Sequence, residues 1–163
     1  MDDPRDREHS RAPEVADVAN LCRALNAAGA RYVLVGGFAV ILHGAVRTTK
    51  DIDLLVDPSV ENMGRLRVAL STLPDKAVLS VTDGDLERYG VVRVADEIVV
   101  DLMSSACGVT YADAVAAGTE EMSIGTEKVT VASLETLIRT KQTYRDSDRA
   151  DVAFLGRLIE GER

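Results

Sequence analysis

Few residues in this chain could build a metal–thiolate site. It has two cysteines and two histidines in 163 residues. Cys22 and Cys107 stand far apart with no C-x-x-C spacing, so a structural zinc site lacks ligands. Both thiols are expected to pack as small buried hydrophobes in a reducing compartment. Positive charge is also scarce: 19 Lys and Arg against 27 Asp and Glu leave a formal net charge of −8. That argues against broad, nonspecific nucleic-acid binding, which depends on a basic footprint, but leaves room for a small phosphate ligand held by a few local cations. No apolar run approaches the roughly 18 residues of a membrane span. The N-terminal MDDPRDREHSRAP has no hydrophobic segment, so no secretory signal is expected and the expectation is a cytoplasmic protein without a membrane partner. Gly36-Gly37 is not a G-x-G-x-x-G fingerprint, and no G-K-[ST] follows it, which excludes a dinucleotide loop and a P-loop. Repeats, low-complexity tracts and internal linkers are missing too.

What is present suggests one domain over residues 13–163, preceded by a disordered tail over residues 1–12 that is too charged and proline-rich to bury apolar surface. Pro13 to Gly29 reads as a helix with an apolar stripe of Val15, Val18, Leu21, Cys22 and Leu25. Arg31–Val35 reads as a buried strand, Phe38–His43 as a short helix and Ile52–Val56 as a second strand. Ser59 can cap a helix to about Leu73. Val78–Val81, Val91–Val94 and Ile98–Met103 look like strands, with turns at Asp83-Gly84 and Asp96-Glu97. Tyr111–Ala117 reads as a short helix and Met122–Val131 as a hairpin through Gly125. Ser133 can cap a helix to about Tyr144, and Asp148–Glu160 makes a final one. Strands and helices in irregular alternation predict an α+β fold, a mixed sheet flanked by helices, with a C-terminal helix pair.

The chemistry concentrates in YVLVGGFAVILHGAVRTTKDIDLLV, Tyr32 to Val56. A strand puts residues i and i+2 on one face, so Asp51 and Asp53 point the same way. D-x-D as such is common here, recurring at Asp83/Asp85 and Asp146/Asp148. Asp51 and Asp53 differ because they open an apolar strand, where ionised side chains carry a desolvation cost unless paired or metal-bound. Asp101, within IVVDLM, is a carboxylate in an equally apolar strand. It reads either as a solvent-facing residue at a sheet edge or as a third ligand on a neighbouring strand. Three such carboxylates could hold two Mg²⁺ ions about 3.5–4 Å apart, the arrangement for in-line phosphoryl displacement, and Asp101 could act as a base towards an incoming hydroxyl. Gly36 and Gly37 let backbone approach a phosphate, or form a plain strand-to-helix turn. Arg47 and Lys50 are candidates for neutralising phosphate charge, their alternative being a solvated loop. Lys141 and Arg145, one helical turn apart, could face a triphosphate or simply water. His43, at a helix end, reads as a packing residue.

With those residues in place, the chain resembles the nucleotidyltransferases of the DNA polymerase beta superfamily. The family pattern of a Gly-Gly or Gly-Ser turn, a short helix, D-x-D on the next strand and a later carboxylate matches Gly36-Gly37, Asp51-Ile52-Asp53 and Asp101. The wording VGGFAVILHG...RTTKDIDLLV is most similar to the bacterial abortive-infection, toxin-type branch. VTVASLETLIRTKQTYRDSDRADVAFL resembles the helix pair that follows the catalytic sheet there. The resemblance implies the nucleotidyltransferase fold, with Asp51, Asp53 and Asp101 as catalytic metal ligands for Mg²⁺, or Mn²⁺ in its place. It implies Gly36, Gly37, Arg47, Lys50 and Lys141 as nucleotide-binding, with ATP or another nucleoside triphosphate as donor. The implied acceptor is an RNA, protein or small-molecule hydroxyl, within a toxin–antitoxin pair with a cognate antitoxin protein. Two departures stand out: Gly37 replaces the Ser common elsewhere, and Arg145, Asp148 and Asp151 are spaced more loosely than the usual R-x-K-D. A catalytically inactive nucleotide-binding or protein-interaction module of the same fold is the alternative.

Overall fold

The computed structural model describes residues 9–161. The first eight residues of the expected N-terminal tail lie outside that range. Within it, Ser10 donates its hydroxyl to the Asp96 carbonyl at 2.7 Å and the Arg11 amide to the Glu97 carbonyl at 2.9 Å.

Helix α1, Val15–Ala27, buries Val18, Leu21, Cys22 and Leu25 along one stripe. At its start the Glu14 amide donates to Asp17 Oδ2 at 2.6 Å, which satisfies an amide that has no intrahelical partner. Strand β1, Tyr32–Val35, is wholly buried and runs directly into helix α2, Gly36–Leu42. Strand β2, Asp51–Val56, follows, then helix α3, Val60–Leu70, whose Asn62 amide donates to the Ser59 hydroxyl at 3.2 Å. After it come helix α4, Asp85–Tyr89, and strands β3, Val91–Ala95, and β4, Val99–Met103. A two-stranded ladder of β5, Ser105–Ala106, and β6, Val109–Thr110, leads to helix α5, Tyr111–Ala116. The hairpin of β7, Thr119–Ile124, and β8, Glu127–Ala132, precedes helices α6, Leu134–Thr140, and α7, Asp146–Ile159.

Among the described residues, six strands form one mixed sheet in the order β3-β4-β2-β1-β8-β7. The β1–β2, β3–β4 and β7–β8 pairs are antiparallel, and β2–β4 and β1–β8 are parallel. Helix α1 packs on α3 and β8, and α6 on α7 and α2. The architecture is therefore α+β with a mixed sheet and a C-terminal helix pair. No described helix is long and apolar enough to cross a membrane.

Three sequence expectations are corrected here. Residues 77–80 form a 3₁₀ turn, not the strand expected at Val78–Val81. Val78 and Val81 are both buried, and a spacing of three suits the eclipsed faces of a 3₁₀ turn. The helix capped by Ser133 stops at Thr140 and not near Tyr144. There the Thr143 hydroxyl donates to Asp148 at 2.6 Å and accepts from the Arg145 amide at 3.2 Å, a local polar alternative to further helix. Cys22 is buried as expected, but Cys107 is exposed, at a positive φ of 47° between β5 and β6.

Candidate active site

One row of side chains across three strands makes the site. The parallel register sets Asp53 of β2 opposite Asp101 of β4, and the antiparallel register sets Arg93 of β3 opposite Asp101. Opposite residues share a sheet face, with neighbouring strands about 4.8 Å apart. Asp51 lies two residues from Asp53 and joins that face. One ligand oxygen from each of Asp51, Asp53 and Asp101 lies within 4.8 Å of the others. The intervening Ile52, Leu54, Val100 and Leu102 are fully buried and anchor both strands on the opposite side. Asp101 is 7% exposed and inside the sheet, not at its edge.

Arg93 was absent from the sequence-derived candidates. Its Nε donates to Asp101 Oδ1 at 2.9 Å, its Nη2 to Asp101 Oδ2 at 3.0 Å and to Asp51 Oδ2 at 3.2 Å. The signal for it was available. Arg93 is a lone charge in VVRVA, and it and Asp101 each lie four residues from Glu97, in the turn between the strands.

The electrostatics of Asp53 differ from those of its neighbours. Among the described residues it accepts no side-chain hydrogen bond, and its carboxyl is pushed up to about 7. Burial is the main cause, followed by the charges of Asp101 and Asp51, with Lys141 and Arg93 offsetting only part. A half-buried carboxylate repelled by two others favours a proton or a cation. Clustered carboxylate oxygens are hard donors suited to Mg²⁺ or Mn²⁺ and unsuited to thiophilic metals. The residues therefore fit a divalent ion.

The two glycines serve these side chains. A Cβ on Gly36, whose φ is +71°, would stand 2.8 Å from Asp53 Cβ and Cγ and closer still to the carboxylate. A Cβ on Gly37 would meet Thr49 at 2.8 Å and Arg47 Nη2 at 3.3 Å. The space left by each missing side chain is thus taken by the chain's own residues from β2 and the loop before it.

Beside the carboxylates opens a cleft of 440 Å³ lined by Gly36, Gly37, Arg47, Lys50, Asp51, Asp53, Lys141 and Arg145, with Thr48, Thr49, Ser147 and Asp148. Every other residue singled out for nucleotide binding thus borders one space with Asp51 and Asp53. Behind them sits a second group of charges. Lys141 is 6% exposed, with its Nζ 2.9 Å from Asp151 Oδ2 and 3.5 Å from Asp148 Oδ1. Arg47 Nη1 pairs with the same Asp151 oxygen. Asp151, buried on α7, therefore holds two cleft cations at once. His43 lies elsewhere, 3.2 Å from the Ala132 carbonyl and 3.5 Å from Glu120, a packing position. A larger 540 Å³ groove beside α1 has no such convergence, because its Arg11 pairs with Asp17 and Glu97.

Comparison with known proteins adds two findings. A family model described as "Nucleotidyl transferase of unknown function (DUF2204)" matches residues 14–162. A crystal structure from Thermotoga maritima, described as a "putative nucleotidyltransferase", is similar in fold with a TM-score of 0.53 and 18% identity, covering 96% of this chain and 99% of that one. No curated protein matches the chain.

Proposed function

We propose a reaction on the premise that the chain belongs to the family of nucleotidyl transferases of unknown function (DUF2204): metal-dependent transfer of a nucleoside monophosphate from a nucleoside triphosphate to a hydroxyl. The observation that carries this reading is the convergence of Asp51, Asp53 and Asp101, with oxygens within 4.8 Å, beside a cleft bordered by Lys and Arg.

In this reading Asp51, Asp53 and Asp101 hold Mg²⁺ or Mn²⁺. When bound, such an ion neutralises triphosphate charge and eases ionisation of the attacking hydroxyl. The triphosphate lies in the 440 Å³ cleft, where Arg47, Lys50 and Lys141 offset its charge. Asp151 and Asp148 fix Lys141 by the contacts described, so its ammonium is ordered before the ligand arrives, and Asp151 does the same for Arg47. Preorganised cations cost little further ordering when charge develops. The acceptor oxygen bonds to the α-phosphorus as the bond to the bridging oxygen breaks and pyrophosphate leaves. The hydroxyl proton passes to a carboxylate of the cluster or to water. Gly36 supports this by letting Asp53 lie against the start of α2.

The acceptor is an RNA, a protein or a small-molecule hydroxyl. A toxin–antitoxin setting with a cognate antitoxin protein, in the cytoplasm, is proposed on the sequence resemblance. A second reading, an inactive nucleotide-binding module of the same fold, draws support from the guanidinium of Arg93 on Asp101 and Asp51. One experiment separates the two. The protein is incubated with each α-labelled nucleoside triphosphate, Mg²⁺ or Mn²⁺, and an RNA and protein extract. A labelled product lost in Asp53→Asn supports transfer. Triphosphate binding without any labelled product or released pyrophosphate supports the inactive module.

A further inference from the structure

The guanidinium of Arg93 lies against two of the three clustered carboxylates. It takes both oxygens of Asp101 and one of Asp51, at 2.9 to 3.2 Å. The fork is bidentate, the strongest form of an Arg–carboxylate pair. Its side chain is only 20% exposed, so bulk solvent screens the pair weakly. A divalent ion on Asp51, Asp53 and Asp101 needs the same oxygen lone pairs and brings charge of the same sign. The two cations therefore compete. Asp53 stands outside the fork, with an oxygen within 4.8 Å of those of Asp51 and Asp101. Among the described residues β3 is an edge strand, paired with β4. A 230 Å³ cleft bordered by Ser10, Arg11, Ala12, Lys50, Asp51 and Arg93 adjoins it, which gives the side chain space beside the sheet.

We propose that Arg93 is a built-in countercation that the divalent metal displaces, so that metal binding and release of Arg93 from Asp101 and Asp51 form one equilibrium and Arg93 sets the metal affinity. This rests on the reading that Asp51, Asp53 and Asp101 hold the metal. A residue that merely positioned Asp101 would act in the opposite direction, since its loss would loosen a ligand and weaken metal binding.

Mn²⁺ binding to the full chain, measured by calorimetry and by electron paramagnetic resonance of the free ion, tests the proposal without reference to turnover. Asp53→Asn serves as the control for the site and is expected to lose Mn²⁺ binding. Arg93→Gln is expected to bind Mn²⁺ about tenfold to a hundredfold more tightly than the wild type, the range of a charged hydrogen bond no longer broken. Its metal-free melting temperature falls, and Mn²⁺ raises that temperature by more than in the wild type. Arg93→Lys, which keeps the charge and loses the fork, falls between the two and carries the comparison if the Gln variant does not fold. Equal or weaker Mn²⁺ binding by a folded Arg93 variant, with the Asp53→Asn control intact, overturns the inference alone. Binding that survives Asp53→Asn, or is absent from wild type and Arg93 variants alike, overturns the metal-site reading and this inference with it.

Discussion

Replacing Asp53 by Asn is expected to stabilise the metal-free protein at alkaline pH while abolishing metal binding. Asp53 titrates in the folded chain near 7, against an ordinary value of 3.8. A raised carboxyl pKa means that the native state holds its proton more tightly than the unfolded chain. Between those two values the native state binds more protons, so this group makes stability fall as pH rises, and the full penalty is present above about 7. The gap corresponds to about 4 kcal/mol at 1.36 kcal/mol per unit. Partial exposure of Asp53 reduces that, and about 2 kcal/mol is the figure to expect. Asn has nearly the same shape and cannot ionise. Urea unfolding in EDTA at pH 8 should therefore show Asp53→Asn about 2 kcal/mol more stable than wild type, and the difference should shrink towards pH 4. Comparing the two proteins at each pH cancels the opposite contributions of carboxylates held low by partners, such as Asp17 beside Arg11. Mg²⁺ at pH 8 should stabilise the wild type and leave the variant unchanged. A variant that is no more stable than wild type at pH 8 in EDTA refutes the claim that this carboxylate is held under repulsion.

Gly36→Ala would force a side chain onto Asp53 from a backbone at φ +71°; we expect about 1 kcal/mol lost to the left-handed conformation and Mn²⁺ affinity down at least about tenfold, as for other changes that disturb ligand orientation, both checked by unfolding and calorimetry. Asp151→Asn removes the shared partner of Lys141 and Arg47. Leaving the buried ammonium without it should cost about 3 kcal/mol in urea unfolding and raise the triphosphate dissociation constant, while Mn²⁺ binding is retained. The Cys22 thiol, buried and pushed up to about 11, should resist alkylation at pH 8 in the native protein. The exposed Cys107 should react, so mass spectrometry should find one label on the native chain and two in denaturant.

Much of the site was legible from local pattern. The period of two placed Asp51 and Asp53 on one face, and the apolar flanks of Asp101 marked it as a carboxylate out of place. Arg93 was legible in principle, because the turn at Asp96-Glu97 determines which residues of the two strands oppose each other. A single Arg in an apolar strand reads as a solvated charge until its partner is known. The role of Gly36 and Gly37 was legible only in part. Glycine announces a close approach but not what approaches, and here the neighbours are Asp53 and Thr49. The short run Val78–Val81 reads as a strand because four residues, three of them apolar, carry no decisive period.

Chain sequence alone thus determined most of the longer elements, the shared face of Asp51 and Asp53, and the suspicion attached to Asp101, since these follow from backbone geometry acting over a few residues. Tertiary structure decided that β4 lies beside β2 in parallel, which sets Asp101 next to Asp53. It also decided that α7 docks so that Asp151 gathers Arg47 and Lys141. Those contacts join segments far apart in the chain, and no local periodicity encodes them. They are selected by which apolar faces bury one another, and the charges of the site are carried into place with them.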